Sequence, residues 1–414
     1  MTQAGTLAMS VEDVDAPVDA QIAACLDLAA PRSFFLFAGA GSGKTRSLVK
    51  ALEHIQRTQR YALQSRGQRV SVITFTNAAS DEIKRRLRFD PLIDVRTIHS
   101  FAWSLIDGLH RDIREWLRVD IAEKISQLEA KEASGRKGTA ASEDRLRRIA
   151  SRTKRFQNLD IIKRFTYSPT GDNRSRDALN HAEVLQITAD FLMNKPAMQS
   201  ILVGRHPVLL IDESQDTNKH IIDALFAVQA AHGKRFVLGL LGDTMQRIYG
   251  EGKDHLGQHL PADWVTPAKQ LNHRCPTRVI DLINKIRSSV DGHQQKPRAD
   301  AITGFVRVFI LPSTTADKPA IELRISEHMM GITGDTAWND PTSVKTLTLE
   351  HRMAATRLCF LEMFAPLYEV ESWRTSFLEG ELAASRFFTK QIQPLLDAKR
   401  SGDRFAVARV AKAM

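Results

Sequence analysis

From Phe34 to Val49 the chain reads FFLFAGAGSGKTRSLV: an apolar run, a glycine-rich turn, then Lys-Thr opening a helical pattern. Successive backbone N–H groups in such a turn, backed by a helix N-terminus, point at a phosphate. Gly39, Gly41 and Gly43 permit the close approach and tight dihedrals this requires. Around them, Ala38, Ala40 and Ser42 complete the loop, Lys44 reaches toward β- and γ-phosphates, and Thr45 offers a hydroxyl to Mg²⁺. Ala38 stands where the usual G-x-x-x-x-G-K-[ST] pattern begins with glycine, and its methyl group is tolerated wherever φ is negative. A second constellation, HPVLLIDESQDTN from His206 to Asn218, puts Asp212 and Glu213 just beyond an apolar strand. That is the carboxyl edge of a parallel sheet, where ligands bind. Asp212 can hold Mg²⁺ there, and Glu213 can polarise an attacking water. Together these residues suit nucleoside triphosphate hydrolysis.

The elements that must position them follow an α/β pattern. Phe34–Phe37, Val70–Phe75, Val208–Ile211 and Phe236–Leu241 read as buried strands, with helical sequence after each, including Thr45–Gln56 and Ala78–Leu87. From about Trp103 to Ser200 the chain is polar, helix-like and rich in Arg and Lys, broken by the loop YSPTGDNRS. One parallel sheet interrupted by an inserted helical subdomain is the simplest account. A polar stretch, SSVDGHQQKPRADAITG, follows Ile286 and reads as a linker, after which strand-like runs reappear at Phe305–Leu311 and Lys345–Leu349.

The 414 residues suffice for two or three domains. A net charge of +10 favours a polyanionic partner such as nucleic acid. No apolar stretch approaches the roughly 20 residues that span a bilayer, and the acidic N-terminus does not read as a secretory signal. Cys25, Cys275 and Cys359 are too few and too scattered for a disulfide framework or a zinc site. The expected compartment is the cytoplasm, with no membrane partner.

Six blocks occur in order: AGAGSGKTR, TFTNAASDEIKRRL, TIHSF, LLIDESQDTN, LGDTMQRIY and LNHRCPTRVIDLINKI. Together they resemble the UvrD/Rep-like family of superfamily 1 DNA helicases, over roughly Gln21 to Ile286. The resemblance implies an ATP- and Mg²⁺-dependent motor with a RecA-like fold that moves 3′ to 5′ on single-stranded DNA or a 3′-tailed duplex. It implies a first RecA-like domain from residues 1–101 and 200–290, with a helical insertion at 102–199. A linker at 291–303, the start of a second RecA-like domain at 304–370 and a further helical insertion from 371 to 414 complete the expected order. VKTLTLEHRMAATRLCF looks like the opening of that second domain.

By position, Arg46 would lie beside the base or ribose, and Gln21 would read adenine. Gln246 would sense the γ-phosphate and relay its state to DNA, and Arg274 would touch the γ-phosphate from the domain edge. Phe75, Thr76, Asn77, Thr97, His99 and Ser100, just past strands, would contact the single strand, and Tyr249 would add a stacking platform. The basic run Arg145–Arg164 reads equally as a phosphate track or a solvated helix face. Three departures stand out. His273 replaces the family's adenine-stacking Tyr, GEGK follows Tyr249 in place of an FRGA-like segment, and the late motifs are not reached before Met414. The alternative expectations are a nucleotide-gated DNA-binding module or a helicase-like subunit that acts with a partner such as a nuclease.

Overall fold

The computed structural model describes residues 14–169, 173, 175–247, 250, 252–312, 317–378, 380 and 382–413. The chain divides into two compact units, Met1–Pro169 with Ser175–Val306, and Thr170–Arg174 with Arg307–Met414.

The first unit is built on one six-stranded sheet: β1 (Phe34–Ala38), β2 (Val70–Thr74), β3 (Ile93–Thr97), β4 (Val208–Ile211), β5 (Val237–Gly242) and β6 (Ala268–Lys269). The strands lie in the order β3-β2-β4-β5-β1-β6, and every pairing is parallel. This is the mixed α/β, RecA-like arrangement expected for a glycine-rich loop that follows the first strand. Successive strand side chains alternate between the faces. Phe35, Ile73, Leu209, Ile211, Leu238 and Leu240 enter one core, shared with helices of the insertion. Phe34, Leu36, Val70, Val72, Val208 and Leu210 enter the other, with Leu48, Leu52 and Ile55 of helix Lys44–Thr58. Burial on both faces explains the unbroken apolar runs of β4 and β5.

Between β3 and β4 run the helices Ile98–Ile106, His110–Ser134, Ala140–Gln157, His181–Asn194 and Pro196–Arg205. Asn180 and Glu183 form a reciprocal capping box that starts His181–Asn194. Arg155 binds the same Glu183 at 3.0 Å and the Ala178 carbonyl at 3.3 Å. Arg145 pairs with Glu132 and Arg148 with Asp144, so part of the basic run holds the insertion together.

Two expectations about the chain beyond Ile286 are corrected. The polar stretch read as a linker is part of the first unit and forms a small separate parallel sheet there. Lys296–Pro297 pairs with Leu271–Asn272, and Gln295 is buried. Its polar side chains satisfy backbone groups of the first unit, a role that composition does not distinguish from a solvated linker. The runs Phe305–Leu311 and Lys345–Leu349 form no strands, and among its described residues the second unit contains helices only. A strand needs a paired neighbour along its length to take its N–H and C=O groups, and neither run joins a sheet.

Candidate nucleotide and nucleic-acid site

Helix Lys44–Thr58 starts at the carboxyl end of β1, so the turn Gly39–Gly43 lies at the sheet edge. Gly41 and Gly43 have φ of 77° and 80°, the left-handed region that other residues enter only with strain. Ala38 ends β1 paired to Lys269, in extended backbone where a methyl group fits. A Cβ on Gly41 would lie 2.9 Å from Asn272 Oδ1 and 3.3 Å from Arg274, which places both beside the loop. His273 accompanies them: its N–H donates to the Gly41 carbonyl at 2.9 Å, and its ring flanks Gly43 near Arg46. Burial holds the His273 pKa below its ordinary value, and Lys269 adds to this.

The acidic pair sits at the same edge, after β4. Lys44 Nζ meets Glu213 Oε2 at 2.5 Å. Glu213 is one of the few residues other than glycine with positive φ, 51°, and its N–H donates to Asp212 Oδ1 at 3.0 Å. Burial pushes the Asp212 pKa up to about 6, with Lys44 opposing and Glu213 reinforcing the shift. Ser42 Oγ and Ser214 Oγ, both buried beside these groups in sequence, find no hydrogen-bond partner. A glycine-rich turn at a helix start, a lysine, orphaned hydroxyls and a buried carboxylate fit a Mg²⁺-nucleotide. Among the described residues no cluster of three His, Cys, Asp or Glu could hold a metal alone. Thr45 and Asp212 therefore suit a Mg²⁺ whose remaining ligands come from phosphate and water.

Residues that the sequence reading left without a role connect the two halves. Because β5 lies between β4 and β1, its outgoing loop faces both. Gln215 Nε2 donates to Glu213 Oε2 at 2.8 Å, and its Oε1 accepts from Asp243 N–H at 3.2 Å. Gln246 Nε2 donates to Asp243 Oδ2 at 2.7 Å. Buried Arg287 binds the other Asp243 oxygen at 3.0 Å. Lys44, Glu213, Gln215, Asp243 and Gln246 thus form one continuous chain of contacts. Gln215 and Asp243 stand inside the quoted blocks, so their neighbourhood was the available signal. Gln295 Nε2 and Asn272 Nδ2 both donate to the Ala40 carbonyl at 3.1 Å, and no motif marked Gln295.

The nucleic-acid candidates gather on the same edge, past the adjacent strands β2 and β3. Phe75, Thr76 and Asn77 are exposed, and Thr76 Oγ1 also caps helix Asn77–Arg86 by accepting from Ala79 N–H. Thr97 and Ser100 hydroxyls lie 3.0 Å apart. The His99 ring meets His181 edge-on at 5.1 Å, and burial together with His181 lowers its pKa to about 4. His181 Nδ1 in turn lies 2.6 Å from the Tyr167 hydroxyl. Tyr249 falls outside the described residues. Gln21 is exposed on helix Ala16–Cys25, and among the described residues no hydrogen bond ties it to the loop.

A parallel sheet with a phosphate-cradling loop after β1 and an acidic pair after β4 defines a RecA-like P-loop protein. The UvrD/REP helicase N-terminal domain family matches residues 20–250, more than half of the sequence. The chain belongs to the UvrD/REP helicase family. It is 26% identical over 315 residues to the Gabija protein GajB of Bacillus cereus (strain HuB5-5), a match covering 60% of this chain and 46% of that protein. The chain therefore spans about half the length of this relative. His273 and Arg274 lie beyond the family match, and the other site candidates lie within it. No helix among the described residues is long and apolar enough to cross a membrane.

Proposed function

We propose that this chain carries the ATP-hydrolysing half of a DNA motor that moves 3′ to 5′ on single-stranded DNA. The observation that supports this best is the unbroken chain from Lys44 through Glu213, Gln215 and Asp243 to Gln246. Phosphate competes with Glu213 for the Lys44 ammonium, so nucleotide entry frees the carboxylate to accept a proton from the attacking water. Mg²⁺, held by Thr45 and Asp212, would neutralise charge on the phosphates. Arg274, beside Gly41, would meet a γ-phosphate. Release of Glu213 shifts Gln215 and hence Gln246, and that shift is the signal passed to residues on the β2 and β3 loops. Phe75 and Tyr249 would stack bases without regard to sequence, at about 1–3 kcal/mol each. The expected substrate is single-stranded or 3′-tailed duplex DNA in the cytoplasm. Binding is tested across a salt series, where single strands should outcompete blunt duplex and affinity should fall steeply with salt. Equal affinity for both would sink the proposal that Phe75 and Tyr249 stack single-stranded bases.

A second reading is favoured by the second unit, where the expected order puts a second RecA-like domain but the strand-like runs form no strands and leave Val308, Ile310, Leu347 and Leu349 exposed. On this reading the 414-residue chain binds ATP and DNA but turns over slowly and separates no strands by itself, acting with further polypeptide or a partner such as a nuclease. Arginines donated across such a cleft contribute about 10³–10⁵ in rate. Strand displacement on a duplex with a 3′ tail decides between the two. Robust unwinding by the purified chain alone overturns the second.

A further inference from the structure

The phosphate loop occupies the carboxyl edge of the sheet, and a different cluster of charge lies at the amino edge. Arg69 immediately precedes β2, Arg205 and His206 precede β4, and Asp94 and Arg96 belong to the edge strand β3. With Ser104, these residues line a cavity of about 320 Å³, within the range of about 300–1,000 Å³ typical of small-ligand sites. Arg96 Nε binds Asp94 at 2.8 Å. Among the described residues no ion pair engages Arg69 or Arg205, and both are exposed. Three guanidiniums against one carboxylate leave the cavity cationic.

His206 supplies an independent sign of a ligand. It is 8% exposed, and its Nδ1 has no hydrogen-bond partner. A buried polar atom left unpaired costs about 1–3 kcal/mol, and a small shift of the ring toward a phosphate oxygen or P–OH in the cavity would remove that cost. A neighbouring cavity of about 400 Å³ shares Arg69, Asp94 and Arg96 and adds Lys84, Asp90 and the exposed ring of Phe89. The lining therefore continues from a cationic pocket to one with an apolar wall.

We propose that this amino-edge cavity is a second anion site, taking a small phosphate-bearing molecule on Arg69, Arg96, Arg205 and His206. Guanidinium forks match phosphate oxygens bidentately. The Asp94 carboxylate in the wall disfavours a continuous polyanion, which is why a small ligand is preferred here to a nucleic-acid backbone.

The test uses the full chain carrying Lys44→Ala, so that the nucleotide cradle is silenced and the outcome is independent of the function proposed above. Pyrophosphate is titrated by calorimetry at constant ionic strength, with thermal melting in parallel. One saturable site and a raised Tm are expected. Adding Arg69→Ala or Arg205→Ala, both at exposed side chains, should weaken binding about ten- to hundredfold. His206→Gln should weaken it less, and Arg147→Ala, on the remote helix Ala140–Gln157, should leave it unchanged. Absence of saturable binding, or binding indifferent to both arginine variants, overturns the proposal. So does a result in which those variants weaken only single-stranded oligonucleotide binding, which would assign the patch to a nucleic-acid backbone.

Discussion

Strand β5, Val237–Gly242, lies between β4 and β1 and is buried along its whole length, whereas Val308 and Ile310 of the second unit are 82% and 90% exposed. Leu347 and Leu349 are as open, at 92% and 96%. All these segments carry strand-like sequence, rich in residues that fit a pleated, half-buried surface. Their fates differ because composition marks a strand while only a neighbour makes one. Each such side chain left in water forgoes about 1.5–3 kcal/mol of burial. The first unit buries its main strands in one sheet, and the second holds strand-like sequence whose apolar side chains stay in water.

Hydrogen exchange probes that contrast with the largest expected effect. Amides of β5 should open only with the whole unit, while those of Thr346–Leu349 should exchange near the rate of an unfolded chain, a gap of about 10⁴-fold or more. Equal protection in both would break the comparison. Next comes chemistry confined to the first unit. Glu213→Gln should keep ATP binding and cut turnover by about 10²–10⁴-fold, while Lys44→Ala should lose tight binding altogether. Unchanged ATP affinity in Lys44→Ala would show that the phosphate loop has been misassigned.

Stability separates the units on a smaller scale. Leu240→Ala in β5 should cost about 2–5 kcal/mol in denaturant unfolding. Leu349→Ser should stay within about 0.5 kcal/mol, and a larger loss there would mean that the run is packed. The smallest effect is a pH dependence belonging to the first unit alone. The Asp212 pKa stands at about 6 in the fold against an ordinary 3.8, so the unfolded chain loses this proton first. Ionisation of Asp212 therefore opposes folding as pH rises from about 4 to 6. Mg²⁺ needs the ionised form, so Mg²⁺-dependent nucleotide affinity should drop about fourfold between pH 7 and 5.5. Isothermal titration at the two pH values measures it, and Asp212→Asn should abolish the dependence.

The parts of the site that were legible in sequence are those whose chemistry is local. Lys44, Thr45, Asp212 and Glu213 announce themselves because loop, helix start and strand end are contiguous with them. Gln215, Asp243 and Arg287 did not, since their contacts exist only once β5 is inserted between β4 and β1, and strand order is a property of the whole sheet. The two-residue β6 is too short for any periodicity. Gln295 was hidden in polar composition that equally describes a linker, although its amide is buried against the Ala40 carbonyl. The runs at Phe305–Leu311 and Lys345–Leu349 show the converse failure, a strand-like local pattern that joins no sheet.

Gln295 also constrains what variation the phosphate loop can accept. A side chain on Gly39 would collide with the Gln295 amide and approach its Cδ to 2.9 Å, whereas the alanine one position earlier is accommodated. The two positions therefore form a compensatory pair. A Gly39 replacement selected for lost function should find its second-site suppressors at Gln295, more than two hundred and fifty residues away in sequence, and among smaller side chains there. Genetics would thus trace the edge of the cradle without any bound nucleotide.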